Sequence, residues 1–134
     1  MGKEYKFLIN GQWLTSSEKH QIKSPYNGEV IGRTYRPSPD DVENAIKAAS
    51  AAFEITKKMP PYERSEILFN IVRILQERKE ELAQSIAAEA GKPIKAARIE
   101  AERSILTFTI AAEEAKRING EIIPLDIHPY GKDR

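Results

Sequence analysis

Ala88-Glu89-Ala90-Gly91-Lys92-Pro93, then a helical pattern from Ile94 to Ile118, then Asn119-Gly120 and the apolar run Glu121-Ile122-Ile123-Pro124, form the stretch that decides the fold. Gly91 admits the positive φ that closes a helix at its C-terminal end. Pro93 has no backbone donor and suits the first turn of the next helix. A bend is therefore predicted, with Lys92 inside it. Beyond the bend, Ala97, Ala101, Ile105, Phe108, Ala112 and Ala115 recur at three- to four-residue spacing. Ile99, Leu106 and Ile110 widen that face. A helix apolar over so much of its circumference is covered on more than one side. Asn119-Gly120 is expected to end it, and Pro124 limits the short strand expected over 121–124. The upstream chain is expected to pack on this helix.

Working outward, Leu82, Ala83, Ile86 and Ala87 give a shorter apolar face leading into Gly91, after a solvated stretch from Arg78 to Glu81. Ile67, Leu68, Ile71, Ile74 and Leu75 define another helix opening near Tyr62, and Lys57-Lys58-Met59-Pro60-Pro61 breaks the chain before it. Ser38-Pro39-Asp40-Asp41 is a helix start, with a capping serine, proline at the first position and two carboxylates at the positive end of the dipole. Val42, Ala45, Ile46, Ala49 and Phe53 are the apolar face of that helix. Further upstream, Asn10-Gly11 between Lys6–Ile9 and Gln12–Thr15 is a hairpin signal, with Trp13 as its expected anchor. His20–Lys23 and Glu29–Arg36 read as further strands around the turn Ser24-Pro25-Tyr26-Asn27-Gly28. The prediction is a small antiparallel β element over 1–36, a helical part over 37–126 and a loop without capping logic over 127–134. Together they make a single incomplete domain, mainly helical, with one short C-terminal strand.

With 134 residues an independent core is feasible on length alone. Lys+Arg 21 against Asp+Glu 20 leaves a net charge of +1, which provides no electrostatic footprint for nucleic acid or an anionic membrane. No apolar run approaches the roughly 18 residues that span a bilayer, and Met1–Tyr5 is not a signal peptide. The default expectation is a cytoplasmic protein. The absence of cysteine removes disulfides, thiolate nucleophiles and zinc–cysteine sites from this chain.

Candidate chemistry is sparse. His20 and His128 read as exposed histidines, and the glycines are scattered through turns without a phosphate-loop spacing. Glu80-Glu81 and Glu113-Glu114 read as solvated helix faces. Glu100, Arg103 and Thr107 share one stripe of the long helix, and Arg98 and Glu102 are spaced for an i,i+4 pair. Spacing leaves two readings of the stripe open: surface ion pairing, or an Arg103 guanidinium offered as a planar fork to an anion in a cleft.

Several ordered pieces together resemble the N-terminal segment of the NAD(P)-dependent aldehyde dehydrogenase superfamily. They are Phe7-Leu8-Ile9-Asn10-Gly11-Gln12-Trp13, the Ser24–Ile31 turn, the alanine-rich helix Ala45–Phe53, Arg64 with Leu68–Leu75, Glu89–Pro93, and Ala111–Pro124. The chain looks nearest to members that oxidise lactaldehyde, glyceraldehyde-3-phosphate or succinate semialdehyde. The resemblance implies an α/β fold and oxidation of a small anionic or hydroxylated aldehyde to its carboxylate, with NAD or NADP as acceptor. It also implies that the catalytic cysteine and glutamate and the dinucleotide loops lie beyond this sequence. On that reading Arg134 is a truncation point, and the chain alone neither catalyses nor binds the cofactor. Carried over by position, Arg103 and Glu100 line the substrate entrance. Glu89, with backbone carbonyls near Ile22 and Lys23, contributes to a monovalent-cation site. The expected partner is the remainder of the dehydrogenase or a homologous subunit. The alternative is a stand-alone helical interaction module that associates with itself.

Overall fold

The computed structural model describes residues 3–132. The proposed truncation point, Arg134, lies outside them. Five short strands precede four helices: β1 (Lys3–Tyr5), β2 (Phe7–Ile9), β3 (Gln12–Leu14), β4 (Lys19–Lys23), β5 (Val30–Tyr35), α1 (Pro39–Thr56), α2 (Pro61–Glu77), α3 (Lys79–Ala90) and α4 (Ile94–Glu114).

The hairpin forms where Asn10-Gly11 predicts it. Both residues take positive φ, 49° and 76°, and Leu8 faces Trp13 across β2–β3. Trp13 is 64% exposed, so it does not anchor the hairpin within this chain. The β element is not purely antiparallel and is not one sheet. The β2–β3 ribbon stands apart from a three-stranded sheet of order β1-β5-β4, in which β1 runs parallel to β5. Glu4 ties this sheet across its face, accepting from Lys19 Nζ at 2.8 Å and from Tyr35 Oη at 2.7 Å. Those bonds, the lysine's first, lower the Glu4 pKa. A bulge between Ile22 and Lys23 leaves Ile31 as the extra residue on β5, and Gly32 is buried beneath the Tyr5 ring.

The Ser38–Asp41 capping box closes in both directions. Ser38 Oγ accepts from Asp41 N–H at 3.2 Å, and Asp41 Oδ2 accepts from Ser38 N–H at 2.9 Å. At the far end of α1, Arg64 performs the opposite task. Its guanidinium donates to the carbonyls of Thr56, Lys57 and Met59, satisfying acceptors left by the end of the helix. Gly91 closes α3 at φ +63°, and a Cβ there would lie 3.0 Å from Pro25 Cγ. The bend therefore disfavours a side chain on two grounds, a strained φ and a tight contact, and it rests against the β4–β5 turn. Pro93 sits at the N-cap of α4, one position earlier than expected, and its carbonyl accepts from Ala97 N–H at 3.1 Å.

Ala83, Ala97 and Ala101 are fully buried and form the centre of the α3–α4 contact, with Leu82, Ile86, Ala87 and Ile94 around them. Methyl-sized side chains let the two helices approach closely. Ion pairs flank this seam. Arg98 reaches Glu80 on α3 through two bonds of 3.0 and 2.9 Å, and Lys79 pairs with Glu102. The expected Arg98–Glu102 pair is therefore not made: each residue has its opposite charge on α3, which faces it directly. The Arg98 bonds, with a further one from Gln84, hold the Glu80 pKa down from 4.5 to about 2.

Further expectations need correction. First, α1 does not pack on α4: α4 is covered by α2 and α3, while α1 touches β2. Second, α4 ends at Glu114 rather than Ile118. Ile118 is 74% exposed, so no packing extends the helix, and Arg117 folds back onto Glu114 at 2.7 Å. Third, residues 121–124 form no strand, because a strand needs a hydrogen-bonding edge and none of the described strands lies beside them. The last loop does carry capping logic. His128 Nδ1 accepts from Tyr130 N–H ahead of a single 3-10 turn, Pro129–Gly131. Gly131 is buried where a Cβ would collide with the Leu125 carbonyl.

The interior remains sparse. No large side chain is fully buried among the described residues, while Ile46, Phe53, Ile55, Ile99, Leu106 and Ile110 are each about half exposed or more.

Candidate substrate-entrance wall

The polar stripe of α4 opens onto a concavity of about 370 Å³ lined by Lys92, Glu100, Arg103, Ser104, Thr107 and Phe108. Helical spacing puts Glu100, Arg103, Ser104, Thr107 and Phe108 on adjoining turns of one wall. The bend at Gly91 returns Lys92 to the same wall, where its ammonium pairs with the Glu100 carboxylate. Each of those two side chains is 45% exposed. Among the described residues, the Arg103 side chain makes no hydrogen bond or ion pair. Its five N–H donors therefore face the concavity and solvent.

The two hydroxyls beside it are already committed. Ser104 Oγ donates to the Glu100 carbonyl at 3.1 Å and Thr107 Oγ1 to the Arg103 carbonyl at 2.9 Å. Each hydroxyl has one hydrogen, so both keep only acceptor lone pairs for a ligand. Among the described residues the wall thus offers one unpaired planar cation, one neutralised ion pair, two acceptors and an aromatic ring. Such a set can hold an anionic group against Arg103.

Glu89 lies elsewhere, in a cleft of about 400 Å³ between α3 and the three-stranded sheet. Ile22 and Ile31 line the same cleft, beside the β-bulge, so the fold brings Glu89 and Ile22 together; Lys23 is not in the lining. Lys3 and Glu81 also line it. Glu81 is engaged by the Arg78 guanidinium at 2.6 and 2.8 Å, which leaves Glu89 as the carboxylate free to face a cation there. No cluster of three or more His, Asp or Glu side chains capable of holding a metal occurs among the described residues. His20 and His128 are exposed.

The sequence holds no glycine-rich phosphate loop for a dinucleotide. The first turns of α1, α2 and α3 carry Asp40 and Asp41, Glu63, and Glu80 and Glu81, which repel phosphate from those helix ends, whereas the first turn of α4 carries no acidic residue. No described helix is long and apolar enough to cross a membrane.

Sequence spacing placed Glu100, Arg103 and Thr107 together but missed Lys92, Ser104 and Phe108. Lys92 lies eight residues before Glu100, across a bend, so no helical periodicity links them. The φ requirement of Gly91 was the only available signal.

A family model described as the aldehyde dehydrogenase family matches residues 13–133. The 3-sulfolactaldehyde dehydrogenase of Priestia aryabhattai is 38% identical over 132 residues, covering 98% of this chain and 27% of that protein. The lactaldehyde dehydrogenase of Methanocaldococcus jannaschii is 42% identical over 119 residues, covering 89% of this chain and 26% of its own length. The crystal structure of aldehyde dehydrogenase 21 from Physcomitrella patens, in complex with the reaction product succinate, superposes with a TM-score of 0.93 at 38% identity. That match covers 98% of this chain and 28% of the moss chain. The chain therefore spans about a quarter of the length of the relatives it matches.

Proposed function

This chain belongs to the aldehyde dehydrogenase family, and from that premise we propose that it is the N-terminal segment of an NAD- or NADP-dependent enzyme. The enzyme oxidises a small, hydroxylated or anionic aldehyde to its carboxylate. The observation that carries the reading is the match over residues 13–133, together with relatives named for lactaldehyde and 3-sulfolactaldehyde. Arg103 and Glu100 lie along the substrate entrance, with Arg103 as the group that meets the anion. The remainder of the dehydrogenase, or a homologous subunit, covers the apolar faces of α1 and α4, and the assembly works in the cytoplasm.

Since the chain has no cysteine, the thiolate on which family members depend must come from that remainder. The purified chain is expected to give no turnover with NAD or NADP and lactaldehyde. A fusion to the remaining length of the Priestia 3-sulfolactaldehyde dehydrogenase is expected to restore it. Steady turnover by the chain alone, or a folded fusion that is inactive, contradicts the proposal.

Glu89 and the backbone oxygens around Ile22 supply part of the coordination of a monovalent cation, a hard ion suited to oxygen donors. In the fusion, potassium or sodium is expected to raise the thermal midpoint, and Glu89→Gln to abolish the rise. An unchanged rise in that variant removes Glu89 from the site.

A further inference from the structure

We propose that Glu100 holds Lys92 away from the ligand, so that Arg103 alone meets an anionic head group at the entrance wall and Lys92 stands in reserve as a second cation. This inference rests on the substrate-entrance reading and assigns separate roles to the two cations of that wall. Three facts carry it. Lys92, Glu100 and Arg103 line one concavity. The Lys92 ammonium is held by the Glu100 carboxylate. Among the described residues nothing holds Arg103. Two cations and one carboxylate leave one uncompensated positive charge. Ser104 and Thr107 cannot supply the missing donors, because their hydroxyl hydrogens are bound to backbone carbonyls. A doubly charged head group gains more than a singly charged one from a second cation at close range, and the other cation lining this wall is engaged.

Glu100→Gln removes the competing carboxylate and frees Lys92 to turn toward a ligand. One charge removed roughly 6 Å from a bound anion in water changes affinity about threefold for a monoanion and about tenfold for a dianion. The probes are methanesulfonate and inorganic phosphate, titrated at low salt and alkaline pH into the 134-residue chain. Binding is followed through the side-chain nitrogen resonances of Arg103 and Lys92.

In the unaltered chain both anions are expected to move Arg103 while Lys92 stays still. In Glu100→Gln, phosphate should also move Lys92 and bind about tenfold more tightly, against about threefold for methanesulfonate. Adding Lys92→Gln to that variant should abolish the extra gain for phosphate. The proposal is overturned if Lys92 responds to phosphate in the unaltered chain, if the two anions gain equally in Glu100→Gln, or if neither anion moves Arg103. None of these outcomes depends on turnover, so failure here is separable from failure of the dehydrogenase reading.

Discussion

Ala101→Leu is expected to lower the stability of the chain by about 3 kcal/mol, the upper part of the range for overpacking a closed core. Ala101 is fully buried and shares its cluster with Ala83 and Ala97, also fully buried. A leucine adds three carbons at a point where two helix backbones approach at alanine distance. Because Ala101 is fully buried, the added carbons have to displace the neighbours that close over it. That displacement would also pull apart Arg98 from Glu80 and Lys79 from Glu102, since both pairs span the same seam. These pairs are exposed and each contributes little alone, so the loss of packing dominates. The interior has few other large contributors, because Val72 is the only buried hydrophobic residue larger than alanine among the described ones. A loss of this size is therefore a large fraction of the whole. Urea unfolding followed by circular dichroism measures it. Ile99→Leu, at a position 65% exposed on the same helix, serves as the control and should stay within about 0.5 kcal/mol. A loss below about 1 kcal/mol for Ala101→Leu would mean that the alanine seam is loose.

The second large effect concerns recognition. In the active fusion, Arg103→Leu is expected to reduce kcat/KM for an anionic aldehyde such as 3-sulfolactaldehyde by about 10- to 100-fold. This corresponds to losing hydrogen bonds to a charged group, about 1.5–3 kcal/mol. Lactaldehyde, which is neutral, should change by no more than about twofold, because it offers the guanidinium no charge to neutralise. Leucine retains apolar bulk on the wall, so the contrast isolates the charge. Steady-state kinetics with both substrates decides the matter, and equal losses would put Arg103 off the substrate path. The magnitude depends on the concavity being covered in the assembled enzyme. In this chain Arg103 is solvated, and water weakens each such interaction.

Hydrophobic dye binding by the isolated chain bears on the same point. The apolar groove formed by Phe7, Leu8, Ile9, Val42, Ala45 and Ile46 and the exposed Leu106 and Ile110 of α4 are surfaces of the kind that mark a contact site. The stand-alone interaction module foreseen from the breadth of the α4 face drew on this same feature. The part of the relatives' length that this chain does not span offers a second covering for the same surfaces.

Local signals determined a good deal from the sequence by itself. Asn10-Gly11, Ser38-Pro39-Asp40-Asp41 and Gly91 act through φ preference and capping within a few residues, and each produced the turn, helix start or helix stop it predicts. The four helices follow from apolar periodicity for the same reason. Only the tertiary structure decided what depends on partners distant in sequence. It divided the strands into two sheets and set β1 parallel to β5. It turned Arg98 and Glu102 toward α3 instead of each other and returned Lys92 to Glu100 across the bend. It also denied residues 121–124 a strand, because backbone donors and acceptors form a strand only when another edge is there to meet them. Capping and turn preferences are short-range energies carried by neighbouring residues. Pairing, by contrast, is decided by which surfaces the packed helices bring within reach.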